Sequence, residues 1–196
     1  MWNERYSSAD YAYGTEPNDF LAAVASRIPS GRVLSIADGE GRNGVFLATL
    51  GYDITSVDSS TVGLAKAQRL AATRGVSITT IAADLNDFEI ALGSWEGIVS
   101  IFCHLPLALR QRVHQQVVRG LVPGGLFVLE SYSVRQLGRG TGGPSSAELL
   151  PTLDALRAEL AGLELLHAVE IERDVHEGVH HDGRSAVIQV IARRPA

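Results

Sequence analysis

The sequence predicts one α/β domain: a mostly parallel, seven-stranded sheet with helices on both faces and an antiparallel hairpin at the C-terminal end. Three observations carry this. The apolar segment Val33-Leu34-Ser35-Ile36-Ala37 runs into the loop Asp38-Gly39-Glu40-Gly41-Arg42-Asn43-Gly44, and an amphipathic helix with Phe46, Leu47 and Leu50 follows. Strand-like and helix-period segments then alternate with short connections as far as residue 131, which implies right-handed crossovers and parallel strands. Two further extended segments are joined by a polar connection ending in Asp182-Gly183, a hairpin signal.

The elements follow in order. Behind an aromatic N-terminal stretch (Trp2, Tyr6, Tyr11, Tyr13), Pro17 opens a helix with Phe20, Leu21, Val24 and Ile28 at helical spacing. Strand 33–37 and helix 43–50 lead to strand 53–57, a helix over 61–74 closed by Gly75, and strand 77–82. After a polar stretch comes strand 98–102; a helix over 107–121 stops at Pro123-Gly124-Gly125, and strand 126–131 follows. Segment 133–144 is glycine-rich and is expected to be a mobile lid. Pro151 starts a helix with Leu153, Leu156 and Leu160 on one side, and segments 163–174 and 185–193 form the hairpin. The single domain thus divides into an N-terminal cap and helix (1–30), a cofactor-binding core (31–132), a loop and helix (133–162) and the hairpin (163–196).

With 196 residues, 45% of them apolar and 20% charged, the chain can bury a substantial core. A net charge of -5 argues against nucleic acid as a partner, which calls for a basic patch. No apolar run is long enough to span a bilayer, and Met1-Trp2-Asn3-Glu4-Arg5 lacks the order of a signal peptide. The expected setting is the cytoplasm, as a monomer or homodimer. Cys103 is the lone cysteine, so no internal disulfide forms, and it reads as a small buried hydrophobe.

In an open parallel sheet, ligands collect at the carboxyl ends of the strands near the switch in strand order. Gly39-Glu40-Gly41-Arg42-Asn43-Gly44 matches the dinucleotide fingerprint, yet Asp38 and Glu40 lie within the loop. Carboxylates there repel a pyrophosphate and welcome a cationic ligand. Asp58 closes the second strand with Ser59 behind it, placed to accept ribose hydroxyls; Asp84-Leu85 follows the third, placed for an adenine. The set describes S-adenosylmethionine: adenosine, a sulfonium, an ammonium and a carboxylate, without phosphate. Its carboxylate is expected at the amides near Asn43 or at Arg42, and its sulfonium against Tyr13. Phe102, Cys103 and His104 after the fourth strand are candidate pocket walls.

With these residues the chain resembles a class I S-adenosylmethionine-dependent methyltransferase over nearly its whole length. Within that family Trp2-Asn3-Glu4-Arg5-Tyr6, Tyr13-Gly14-Thr15-Glu16-Pro17-Asn18 and Glu177-Gly178-Val179-His180-His181 resemble the small bacterial tellurite-resistance and thiopurine methyltransferases. The resemblance implies a Rossmann-like methyltransferase fold, methyl transfer to a small-molecule acceptor, and closure of the N-terminal segment and late histidines over that acceptor. Tyr6, His104, His180, His181 and Arg184 are the acceptor-site candidates. One departure stands out: Ser35 and Ala37 occupy the places of the family's first acid and first glycine. Ala37 implies that no positive φ is needed there, and Asp38, rather than Glu40, is expected to meet the ammonium. His176-Glu177-Gly178-Val179-His180 spells a zinc-protease motif, but it carries a glycine and lies in a strand connection, so no metal is expected. The alternatives are a nicotinamide-dependent oxidoreductase and a non-catalytic S-adenosylmethionine-binding module.

Overall fold

The computed structural model describes residues 2–196. Seven strands form one sheet: β1 (Arg32–Ile36), β2 (Asp53–Asp58), β3 (Thr79–Ala82), β4 (Trp95–Ile101), β5 (Leu121–Tyr132), β6 (Glu164–His176) and β7 (Asp182–Arg193). Their order is β3-β2-β1-β4-β5-β7-β6, and the strand order reverses between β1 and β4. The first five strands pair in parallel, while β7 runs antiparallel between β5 and β6. The helices are α1 (Trp2–Arg5), α2 (Asp19–Val24), α3 (Arg42–Thr49), α4 (Thr61–Thr73), α5 (Leu107–Gly120) and α6 (Leu153–Glu159). Among the described residues no helix is long and apolar enough to cross a membrane.

The alternation of side chains along the central strands explains why both sheet faces are covered. On β1, Val33 joins Phe20, Leu21 and Leu47 on one face, whereas Leu34 and Ile36 join Val113, Val117, Leu156 and Leu160 on the other. Helix starts are set by short polar side chains: Asn18 accepts from Leu21 N, Ser60 from Gly63 N and Thr152 from Ala155 N.

Five features differ from the sequence reading. The helix after Pro17 ends in a 3₁₀ turn over Ala25–Arg27, and α1 was not foreseen. Strand β5 begins at Leu121, because the Pro-Gly-Gly turn is absorbed as an irregularity in register with β4. Asp182 and Gly183 lie in β7, paired with His176 and Val175, so the hairpin turns over 177–181. The glycine-rich loop is anchored: Gln136 donates to Thr141 Oγ1 (2.9 Å) and the Gly142 carbonyl (3.1 Å), and accepts from Ala186 N (2.8 Å).

Candidate functional site

The carboxyl ends of the parallel strands open into a cavity of about 650 Å³ at the β1/β4 switch point. Loops 37–43 and 102–105 form its floor, Asp58, Ser59, Asp84 and Leu85 one wall, and the N-terminal segment and hairpin tip its roof. Tyr13, Asp38, Gly39, Glu40, Arg42, Asn43, Asp58, Ser59, Asp84, Leu85 and Phe102 all border it. Gly41 does not; a Cβ there would strike Ala67 of α4, so that glycine allows loop and helix to pack. Among the acceptor-site candidates, Tyr6, His104, His180 and His181 border the cavity. Arg184 lies elsewhere on the exposed hairpin, 3.8 Å from Glu172 and 3.7 Å from Asp174.

Both strand ends flanking the switch point are strained. Ala37 and Phe102 each have a φ of 52°, a region that costs a non-glycine residue about 1–3 kcal/mol. The expectation for Ala37 is therefore overturned. The chain must reverse sharply after β1 so that Asp38 N reaches the Val57 carbonyl (3.2 Å) while its carboxylate folds beneath the loop. There Asp38 accepts from Ser35 Oγ (2.7 Å), Gly44 N (3.2 Å) and Ser56 Oγ (2.6 Å). Gly44 permits this, since a Cβ would collide with Asp38 and Ser56. Burial outweighs these bonds and pushes the Asp38 carboxyl above the usual range.

Every other ionic group at the floor is also committed to the protein. Glu40 pairs with Lys66 Nζ (2.6 Å) and accepts from Ala12 N (2.8 Å), which fastens the N-terminal segment over the loop. Asp58 accepts from Gly39 N and Ser60 N, each at 2.8 Å; burial raises it too. Asp84 caps its own turn, accepting from Asn86 N at 2.8 Å. Arg42 was expected to meet the ligand's carboxylate, but its guanidinium is ion-paired with Glu177.

The residues that sequence reasoning missed form the network around that pair. Glu130 accepts from Asn18 Nδ2 (2.5 Å), Arg173 (2.6 and 2.8 Å) and Gln189 (2.8 Å). Glu177 accepts from Asn18 (2.8 Å) and Arg173 (2.9 Å) as well. A signal was present: Glu130 interrupts the apolar run Leu126-Phe127-Val128-Leu129, and a carboxylate inside a buried strand demands partners. The zinc-protease motif dissolves into unrelated contacts. His176 bonds Asp182 at 2.6 Å, Glu177 belongs to the network, and His180 lies against Tyr13 with centroids 5.6 Å apart.

The roof and far wall are aromatic. Phe102 stacks on Tyr132 at 4.5 Å, and His181 packs against Tyr13 (4.6 Å) and Phe102 (4.7 Å). Burial holds His104 down to about 4 and His181 down to about 3, so both rings are neutral at pH 7. Burial pushes the Cys103 thiol up to about 12, which keeps it an inert thiol.

The methyltransferase-domain family model matches residues 33–125, the segment from β1 through α5 that builds the cavity floor. Over that segment the chain is similar to the methyltransferase-domain family. A 2-heptyl-1-hydroxyquinolin-4(1H)-one methyltransferase of Mycobacteroides abscessus is 25% identical over 122 residues, 61% of this chain. The chain spans about half the length of that relative, 54%. Among solved structures, TehB from Haemophilus influenzae superimposes with a TM-score of 0.73 at 18% identity, covering 98% of this chain and 65% of TehB. The N-methyltransferase NodS from Bradyrhizobium japonicum WM9, in complex with S-adenosylhomocysteine, gives a TM-score of 0.67 at 16% identity, over 90% of this chain and 84% of NodS. These structural likenesses concern the fold, and the inserted β7 forms the antiparallel hairpin that the sequence led one to expect.

Proposed function

We propose that this methyltransferase transfers a methyl group from S-adenosylmethionine to a small-molecule acceptor bound beneath the N-terminal segment and the hairpin tip. The charge of the cavity floor carries the reading. Asp38, Glu40 and Asp58 border it, while the nearby cations are tied down, Lys66 to Glu40 and Arg42 to Glu177. A pyrophosphate set on that floor would meet carboxylates, with the Arg5 guanidinium out at the rim beside Tyr13, whereas a sulfonium and an ammonium are attracted. Asp58 suits the ribose, because a carboxylate has about four lone-pair sites and two are used here. Asp84 and Leu85 would hold adenine; Gly39, Asn43, Ser59 and the amides opening α3 would hold the methionine portion, with Tyr13 and Phe102 near the sulfonium. Asp38 shapes the loop from below, which leaves its field, not a direct bond, to act on the ammonium.

The cofactor supplies an activated methyl group, so the protein's task is to bind, align and exclude water. The names of the hydroxyquinolinone methyltransferase and of NodS support a small-molecule acceptor, and the TehB likeness supports the kinship with small bacterial enzymes. Titration calorimetry with S-adenosylhomocysteine should give micromolar-range binding, and NADH no heat. The reverse result would sink the reading in favour of a nicotinamide enzyme. Binding without transfer of labelled methyl to any acceptor in a broad panel would leave a non-catalytic binding module.

A further inference from the structure

The acceptor half of the cavity is an aromatic cage. Phe102 and Tyr132 stack at 4.5 Å, His104 lies parallel to Tyr132 at 5.6 Å, and His181 stands edge-on to Phe102 at 4.7 Å and to Tyr132 at 5.3 Å. Such walls fit a flat ring and offer little to a small hydrated anion. At the cavity wall His104 Nε2 and His181 Nδ1 are buried with no hydrogen-bond partner among the described residues, and Tyr132 backs them from behind. The Tyr132 hydroxyl itself lies against Ser185. An unpartnered buried polar group costs about 1–3 kcal/mol, so two at one cavity wall point to a ligand that completes them.

Their proton states narrow its chemistry. His104 Nδ1 faces the Leu149 carbonyl at 3.4 Å; a carbonyl only accepts, so Nδ1 holds the proton and Nε2 presents a lone pair. Burial, reinforced by Arg110 for His104 and by Arg42 for His181, keeps both rings uncharged at neutral pH, and burial keeps Tyr132 protonated. The cage therefore holds no cation of its own. Arg5, at the rim, donates to the Tyr13 hydroxyl at 3.3 Å.

We propose that the acceptor is an uncharged, planar aromatic hydroxyl compound, and that His104 Nε2 receives its hydroxyl proton. This rests on the methyl-transfer reading. The O–H bond breaks with its proton passing to Nε2, and an oxygen lone pair forms the bond to the methyl carbon. The carbon–sulfur bond breaks at the same time, its electrons staying with sulfur. The imidazolium then releases the proton to water as product leaves. A weakly basic histidine suffices, because the hydroxyl grows strongly acidic as its oxygen is alkylated.

The test uses 4-nitrophenol as the probe. Titrated into protein saturated with S-adenosylhomocysteine, at a pH just above the probe's own ionisation, it is expected to bind as the neutral phenol and to lose its phenolate absorption. Binding as the phenolate, or no binding of the phenol while tellurite is bound and methylated, overturns the proposal and leaves the cofactor reading intact. Absence of S-adenosylhomocysteine binding in the first step brings down both. With S-adenosylmethionine, His104→Phe should lower kcat about 100-fold with KM little changed. Its rate should climb with the phenol's own ionisation, where the parent enzyme is flat. Should His104→Phe fail to fold, His104→Gln replaces it, with unchanged S-adenosylhomocysteine affinity as the check. A variant with the parent's kcat and pH profile removes His104 from the reaction.

Discussion

At the scale of single residues, the two positive-φ positions and the second strand-end acid make the sharpest statements. Ala37 holds a φ of 52°, a conformation that glycine adopts without strain. Ala37→Gly should relieve that strain at the expense of chain entropy, leaving stability level or raised by about 1 kcal/mol in urea titration. Ala37→Val, with a branched side chain in the same region, should lose about 2 kcal/mol or more. A loss of stability in Ala37→Gly comparable to that in Ala37→Val would show that the strain is not carried there. Asp58 binds the loop amides of Gly39 and Ser60, so Asp58→Asn turns a donor toward one N–H. S-adenosylhomocysteine affinity should fall about tenfold or more, corresponding to roughly 1–3 kcal/mol. An unchanged dissociation constant would place the ribose away from Asp58.

At the scale of elements, the hairpin tip matters most. Glu177 ties the β6–β7 turn to Arg42 of α3, to Arg173 of β6 and to Asn18 before α2. Val179 N also donates to the Ala12 carbonyl (3.2 Å), so tip and N-terminal segment close over the cavity together. Glu177→Gln leaves the buried Arg42 guanidinium without its carboxylate, while Arg173 keeps Glu130, and should cost about 3 kcal/mol by urea denaturation, a loss that a surface pair such as Arg157–Asp154 cannot match. A loss below about 1 kcal/mol would mean that water already screens the pair. The elements themselves were legible because hydrophobic period and glycine punctuation are local properties. Strand 33–37 and helices 43–50 and 61–74 appear within a residue or so of their expected ends. The network was not legible, since its members lie at positions 18, 42, 130, 173 and 177, and only the folded chain brings them together. For the same reason the protein partners of Asp38 and Arg42 could not be read from the sequence. Both lie in the loop after β1, and tertiary partners decide where their charges point.

At the scale of the whole molecule, the topology follows from the alternation of elements, and the cavity follows from the topology. What sequence could not supply is the protonation of the enclosed groups, which sets how the molecule answers pH. His104 and His181 titrate near 4 and 3 in the fold against 6.5 when unfolded. Below about pH 6.5 the unfolded chain takes up protons that the native rings refuse, so stability falls with acid, by at most about 1.4 kcal/mol per pH unit for each histidine. Asp38 and Asp58 work in the opposite sense, because raised carboxyl values favour the folded state once the pH drops into their range. The histidine contribution is isolated by comparison: as the pH falls from 6.5 toward 4, the parent's Tm should drop relative to that of His181→Phe. Ligand linkage gives an independent check on the same fold. S-adenosylhomocysteine at about 100 times its dissociation constant should add about 2.7 kcal/mol, which raises Tm by roughly 5–10 °C for a domain of this size. Because both histidines border the space the ligand encloses, that increment should shrink at low pH, where a proton on either ring competes with closure. An equal Tm rise at pH 3.5, where His104 is mostly protonated, and at pH 7.5 would show that the histidines are uncoupled from the closed state.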